Sequence, residues 1–176
     1  MKKILYIFGG MTDRDVSWLS THGAALTVAE GQMLVERGKE LDHLYLLLEG
    51  ELNVELSAGN FVAVGPGEVI GELSFVDRRP PSATVVAAMD SRVLAVDKAL
   101  LEVKLAEDPS FAANFYKALA VFLSTRLRGT VGRLGYGDGD EGDYQDDEID
   151  LNELTNTHLG GERFDRLLKA VRSPNA

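Results

Sequence analysis

The sequence predicts a mainly β domain that also contains α-helices. The predicted fold is an antiparallel β roll, a jelly-roll-like double-stranded β-helix, flanked by an N-terminal helix and by C-terminal helices. Short β-rich runs separated by glycine fill residues 24–96, and short strands at this spacing are typical of a roll, sandwich or barrel. Helix-start signals lie on both sides of that section. With 176 residues, the chain has room for one domain and a modest appendage.

The helix before the β section is predicted from Thr12 and Asp13, because either residue can cap a helix N-terminus. Val16, Trp18 and Leu19 then give it a short apolar face. We expect a small helix that covers one end of the β roll.

The β section contains several predicted strands and two predicted turns. The strands are Met33–Val35, Leu44–Leu48, Leu52–Leu56, Phe61–Val64, Thr84–Ala88 and Arg92–Val96. Glycines between them can supply the positive φ of tight corners. We expect a hairpin turn at Glu49–Glu51 and a second strand pair around Met89–Ser91.

Two helices are predicted after the β section. Asp97 is the expected cap of a helix through Leu105, and Asp108 followed by Pro109 is a strong start signal for a longer one. Apolar residues then recur at spacings of three and four up to Leu134. Because this apolar face exceeds what a small roll can cover, we expect helix 109–134 to contact a protein partner or to form a homodimer. Gly129 predicts a bend or an end of this helix.

Charge divides the chain into parts. Residues 1–136 hold 14 basic and 17 acidic side chains, a balance of −3, whereas the whole chain carries −10. Residues 138–153 contain nine carboxylates and no Lys or Arg, the composition of a solvated linker. We predict a domain at 1–136 with its β roll at 24–96 and helices at 97–134, an acidic linker at 137–153, and a short C-terminal helical extension at 154–176. The apolar face of that extension is Phe164, Leu167, Leu168 and Val171.

Several classes of function are disfavoured. The chain has no cysteine, which removes disulfides, Cys-ligated zinc and thiol catalysis. His22, His43 and His158 lie far apart, and no Ser, His and Asp set stands out. The apolar run Ile4–Phe8 is too short for a signal peptide or a membrane span. We therefore expect no enzyme activity, no metal, no cofactor, no membrane contact and a cytoplasmic location.

The most informative stretch extends from Gly65 to Val85, GPGEVIGELSFVDRRPPSATV. A glycine turn at Gly71 that opens a short helix would present backbone N–H groups to an anion. Glu72 would be unfavourable beside a phosphate unless it faced a donor such as a ribose hydroxyl. Ser82 and Ala83 can add a hydroxyl and a backbone N–H. These residues predict part of an anion site.

This stretch resembles the phosphate-binding cassette of the cyclic nucleotide-binding domain, the sensor module of Crp/Fnr-type regulators, of protein kinase regulatory subunits and of gated channels. The resemblance extends over residues 12–134 and includes the glycine spacing and the helix pair after the β section. It implies a β roll and a cyclic nucleotide, cAMP or cGMP, as ligand. It also implies ligand contacts from two groups of residues, which are Gly71, Glu72, Leu73 and Ser74, and then Ser82, Ala83, Thr84 and Val85. The long helix of the family often dimerises and caps the base, so Ser124 or Thr125 is either near the base or simply a surface position.

The sequence departs from the family pattern at Pro81, where the family places the Arg that pairs with the cyclic phosphate. Losing such a contact costs on the order of 1.5–3 kcal/mol, or roughly 10- to 150-fold in affinity. Arg79 or Arg78 could supply the missing guanidinium, because Pro80 and Pro81 favour an extended geometry. The alternative is that both are solvated loop arginines.

These observations predict a free-standing regulatory sensor domain that binds a cyclic nucleotide or a similar small anionic ligand and signals through its C-terminal helices. The alternative is a degenerate domain with weak or no nucleotide binding that acts as a protein-interaction module. Only about 40 residues follow the long helix, and they begin with the acidic segment, so we expect no helix-turn-helix and no direct DNA binding. Arg126, Arg128 and Arg133 form a basic cluster on which the acidic segment could dock.

Overall fold

The computed structural model describes residues 8–57, 59–133 and 151–172. Five helices are labelled within these ranges: α1 (Asp13–His22), α2 (Glu72–Asp77), α3 (Lys98–Glu107), α4 (Pro109–Arg133) and α5 (Leu151–Arg172). Eight strands complete the described part: β1 (Ala24–Val28), β2 (Met33–Val35), β3 (His43–Glu49), β4 (Leu52–Ser57), β5 (Asn60–Val64), β6 (Val69–Ile70), β7 (Thr84–Ala87) and β8 (Ser91–Asp97).

The strands form two four-stranded antiparallel sheets, in the orders β1-β8-β3-β6 and β2-β7-β4-β5. Leu47 and Val93 of the first sheet pack against Val35, Val54 and Val85 of the second in one buried cluster. The two sheets therefore face each other across an apolar interior. The predicted β roll, with its flanking helices, is confirmed.

Both predicted turns are wrong in one respect, because neither joins strands of the same sheet. The residues after Glu49 lead from β3 in the first sheet to β4 in the second, and Ser91 begins β8 after β7 of the second sheet. The two corners pack against each other: the Ser91 hydroxyl donates to the carbonyl of Glu51, and Gly50 has φ 91°. A Cβ on Gly50 would lie 2.3 Å from Ser91 Oγ, so only glycine fits this crossing.

The helix starts agree with the expected caps. Thr12 caps α1 and accepts from the backbone N–H of Asp15, whose carboxylate accepts from Thr12 in return. Asp97 accepts from Leu100 at the start of α3. At the start of α4, Asp108 Oδ1 accepts from Phe111 N at 3.0 Å.

The long helix continues through Gly129 up to Arg133, the last described residue of this range, so the helix does not end at Gly129. One missing side chain costs the helix about 1 kcal/mol relative to alanine, which the packing of its earlier turns can offset. Phe111, Phe115 and Phe122 of α4 are all buried against the outer face of the first sheet and α1.

In the described residues the C-terminal helix α5 is Leu151–Arg172, 22 residues long, and it includes the whole described part of the predicted extension. Phe164, Leu167 and Val171 are buried in the same cluster as α4. Most of the predicted acidic linker, residues 137–150, lies outside the described residues. Among the described helices, none has the length and apolar character that a membrane crossing requires.

Candidate functional site

The predicted cassette begins at a glycine that the backbone requires. Gly71 has φ 89° and ψ 8°, in the left-handed region, and it directly precedes the first residue of α2. A Cβ at this position would lie 2.7 Å from Leu41 Cδ2 and 3.3 Å from the carbonyl oxygen of His43. Any other residue would strain the backbone and collide with the loop before β3. Gly71 therefore fixes where α2 starts and where Glu72 lies.

Glu72 is buried at the first position of α2, with 5% of its surface exposed. Its Oε1 accepts a hydrogen bond from the guanidinium of Arg126, which comes from α4. The Arg126 guanidinium also lies over the ring of Phe122, 5.4 Å from its centroid. One carboxylate thus connects the cassette to the long helix across 54 residues of sequence.

Burial raises the pKa of Glu72, and the nearby buried Glu68 carboxylate acts in the same direction. Arg126 opposes this shift without reversing it. The interaction with Arg126 consequently does not fully offset the cost of burying the charged Glu72 carboxylate. Such carboxylates are common at sites that exchange protons or partners.

The second half of the cassette is held by the turn that follows β2. Gly38 N donates to the carbonyl of Pro81 at 2.9 Å, and Arg37 N donates to Thr84 Oγ1 at 3.2 Å. Pro81 is buried and Ser82 is exposed. The buried Pro81 is therefore fixed to this turn through its carbonyl.

The remaining predicted contact residues lie at the surface or partly within it. Leu73 is 51% exposed and Ser74 is half-buried on α2, while Ala83 is half-buried and packs against the cluster inside the roll. Thr84 is half-buried at the start of β7, and Val85 is buried in the roll interior. Exposed Leu73 leaves an apolar surface next to the buried Glu72.

In the structure the two loop arginines contact carboxylates other than Glu72. Arg79 N donates to Asp77 Oδ1 at 2.9 Å, and Arg78 lies 3.7 Å from Glu102 of α3. Both side chains line a cleft of about 350 Å³, which Glu72 and Ser82 do not line. Arg78 has φ 59° at the C-terminal end of α2, which directs the chain towards the two prolines.

On α4, Arg126 is a candidate site residue that the sequence did not single out for this role. Ser124 is exposed, and the Thr125 hydroxyl donates to the carbonyl of Val121 within the helix. Arg128 is exposed. The available signal was spacing: Arg126 falls one helical turn after Phe122, on the buried side of α4, and Arg128 does not.

An aromatic contact gives the cassette a second connection to α4. Phe75 of α2 packs edge-on against Phe115, with ring centroids 5.8 Å apart. Phe115 also stacks with Phe111 at 6.0 Å. A displacement of α2 must therefore be accommodated by the buried face of α4.

Comparison with known proteins adds a family match. The model of the family described as cyclic nucleotide-binding domain matches residues 25–108. This range covers the β roll, α2 and α3.

Individual relatives and solved structures agree with that match. A cyclic nucleotide-gated potassium channel of Mesorhizobium japonicum is 31% identical over 93 residues, which cover 53% of this chain and 26% of the channel. A cyclic nucleotide-binding domain from Methylobacillus flagellatus has a TM-score of 0.67 at 26% identity, covering 79% of this chain and 85% of that one. The N-terminal domain of a transcriptional regulator from Streptomyces coelicolor has a TM-score of 0.58 at 30% identity, covering 77% and 96%. The chain thus spans about a quarter of the length of the channel it matches.

Proposed function

Because the chain belongs to the cyclic nucleotide-binding domain family, we propose that it is a regulatory sensor domain that binds a cyclic nucleotide. The ligand is cAMP or cGMP, or a small anion of similar chemistry, and the family relationship supports a regulatory role without catalysis. A location in the cytosol stays a prediction of the sequence.

The observation that carries the proposal is the contact between Glu72 and Arg126. A buried carboxylate can accept from a ribose hydroxyl, and a guanidinium can donate to a cyclic phosphate. This contact brings a carboxylate and a guanidinium together at the start of α2. A ligand that engages either group must rearrange the ion pair, so ligand occupancy changes a contact made by α4.

Arg126 also bears on the missing cassette arginine. Arg78 pairs with Glu102 and Arg79 pairs with Asp77, and Pro81 cannot contribute charge. Arg126 is therefore the cation that we assign to the phosphate, assisted by the hydroxyl of Ser82 and the N–H of Ala83. A ligand held in this way gains charge compensation from α4 instead of from the loop before β7.

Signal transfer through the C-terminal helices is the second part of the proposal. The cassette contacts α4 at two points, through Glu72 with Arg126 and through Phe75 with Phe115. The outer face of α4 exposes Tyr116, Ala120, Ser124 and Leu127 at spacings of four, four and three residues. This face suits the expected homodimer or protein partner, and a shift of α4 would alter it.

The competing candidate is a degenerate domain that serves as a protein-interaction module. The observation that favours it is Pro81, whose ring is buried and whose carbonyl is bonded to Gly38. In this case Arg126 would only neutralise Glu72, and the cassette would bind nucleotide weakly or not at all.

Isothermal titration calorimetry with cAMP and with cGMP separates the two candidates. The sensor proposal expects binding with a Kd below 1 mM for at least one nucleotide, and a roughly tenfold or greater loss in Arg126→Gln, since a charge-assisted contact is removed. Arg128→Gln is the matched control, because Arg128 is an exposed arginine on the same helix. No heat of binding at millimolar nucleotide would favour the interaction module. Equal affinity of wild type and Arg126→Gln would refute the role given to Arg126.

A further inference from the structure

The C-terminal helix α5 rests on the N-terminal part of the domain through a mixed apolar and charged contact. Phe164 packs against Phe8, with ring centroids 5.9 Å apart, and Leu167 and Val171 are buried beside it. These anchors lie three and four residues apart, along one stripe of the helix. Apolar packing thus sets the orientation of α5.

The charged part of the contact centres on Asp13, the first residue of α1. Arg163 Nε donates to Asp13 Oδ1 at 2.6 Å, and Arg166 donates to Oδ2 at 2.9 Å. Arg163 also donates to the carbonyl of Phe8 at 2.9 Å. Because the N-terminus of α1 carries a partial positive charge, the approach of these two arginines would be unfavourable without the Asp13 carboxylate.

The charged part of this contact is partly open to solvent. Asp13 is 58% exposed, and exposed ion pairs are screened by salt. An open groove of about 220 Å³ remains between α1 and α5, lined by Val16, Ser20 and Ala170 among others. Water can therefore reach Asp13 and Arg166, which is 54% exposed, whereas Arg163 is largely buried.

The sequence of α5 makes its helical form dependent on docking. Gly160 and Gly161 lie inside the helix, just before Arg163, and each costs about 1 kcal/mol relative to alanine. In proteins, most of the stability of a helix comes from the packing of its amphipathic face against the rest of the fold. When α5 leaves α1, we therefore expect it to lose its helical structure.

We propose that the surface of Phe8, Asp13 and Val16 is a reversible docking surface for an amphipathic helix with two arginines one turn apart, and that α5 occupies it as a displaceable cover. The two arginines bind the Asp13 carboxylate, and the apolar residues of the helix pack beside Phe8. This inference is independent of nucleotide binding.

Hydrogen exchange of the full chain tests displacement directly. At 0.1 M NaCl, the amides of residues 158–171 should exchange faster than those of β8, and raising the salt to 1 M should accelerate them at least about twofold without changing β8. Asp13→Asn should give the same acceleration at low salt, while Asp165→Asn, an exposed carboxylate of α5, should not. Exchange of α5 at the rate of β8 in every condition would overturn the proposal.

A peptide experiment tests the surface itself. A fluorescent peptide of residues 151–172 is added to the full chain carrying Leu167→Ala, which weakens its own α5. The peptide should bind this variant more tightly than wild type, and Asp13→Asn in the same background should weaken binding at least about twofold. Circular dichroism confirms that each variant is folded. Absence of binding to a folded Leu167→Ala variant, or equal binding with and without Asp13, would contradict the assignment.

Discussion

Two acidic residues of this domain are each the first residue of a helix, and each contacts arginine from a distant helix, yet they behave in opposite ways. Glu72 meets Arg126 inside the protein, and burial raises its pKa. Asp13 meets Arg163 and Arg166 at the surface, and hydrogen bonds from these two arginines lower its pKa. Arginine favours the charged carboxylate in both places, but only at Asp13 does its effect exceed that of desolvation.

The difference shows that burial, more than the presence of an arginine, decides what such a contact does. The desolvation of Glu72 costs more free energy than its attraction to Arg126 provides. A ligand hydroxyl could therefore donate a further hydrogen bond to this carboxylate. Asp13 stays hydrated, so its ion pairs connect α1 to α5 through interactions that salt can weaken.

The largest expected effect comes from removing the arginine of the buried contact. Arg126→Met should destabilise the domain by about 1–3 kcal/mol at pH 7, because Glu72 is left buried without its charged partner. The loss should shrink towards pH 4, where Glu72 becomes protonated. Urea denaturation at both pH values measures it.

Two further variants are controls for the effect of Arg126→Met. Arg128→Met, on the exposed side of α4, should change stability by less than about 0.5 kcal/mol. Adding Glu72→Gln to Arg126→Met should restore most of the lost stability. An equal loss at pH 4 and pH 7 would mean that Arg126 acts by packing on Phe122 alone.

The second effect separates stability from ligand binding at Glu72. A carboxyl with a raised pKa in the folded state loses stability as the pH increases from about 4.3, its unfolded value, through the folded pKa. Glu72→Gln lacks this loss, so its stability relative to wild type should increase between pH 4 and pH 7. Its nucleotide affinity should nevertheless fall, since the amide cannot replace the carboxylate.

Thermal unfolding across this pH range, together with calorimetry, checks both halves of that prediction. Glu107→Gln, an exposed carboxylate of α3, is the control and should show neither change. A stability difference between Glu72→Gln and wild type that does not vary with pH would show that the pKa of Glu72 is not raised.

The smallest expected effect is that of Asp13→Asn on global stability. A lowered pKa means that Asp13 contributes stability above its unfolded value, and this contribution is lost as the pH falls through the folded pKa. The variant should therefore be slightly less stable than wild type at pH 7 and low salt, and indistinguishable from it in 1 M NaCl. A loss that persists at 1 M NaCl in thermal unfolding would mean that the contact is not held by charge.

Local sequence signals predicted the elements of the fold, but not the pairing of its strands. Helix caps such as Thr12 and Asp108 bond to residues close in sequence, so the sequence predicted them correctly. The corner at Gly50 was assigned to a hairpin, because a glycine between two strands has the same sequence pattern whether the strands share a sheet or cross between sheets. The contact of Gly50 with Ser91, 41 positions further on, is what distinguishes the two cases.

The candidate site likewise contains residues that local sequence predicts and one residue that it does not. Gly71 and Glu72 were predicted from adjacent residues, since a left-handed glycine before a short helix is a local requirement. Arg126 could not be assigned in this way, because its partner lies 54 residues away and helical spacing indicates only which side of α4 it occupies. Local sequence favours Arg78 and Arg79 instead, but in the structure Arg78 contacts Glu102 and Arg79 contacts Asp77.

Carbon-detected NMR titration of the side-chain carboxyls, with and without cAMP and cGMP, tests the central claim most directly because it observes Glu72 and Asp13 in one spectrum. The account predicts a Glu72 pKa above its ordinary value and an Asp13 pKa below its own. Saturating nucleotide should shift the Glu72 carboxyl resonance and leave that of Asp13 unchanged. An unshifted Glu72 resonance at saturating nucleotide, or a Glu72 pKa at or below the ordinary value, would contradict it.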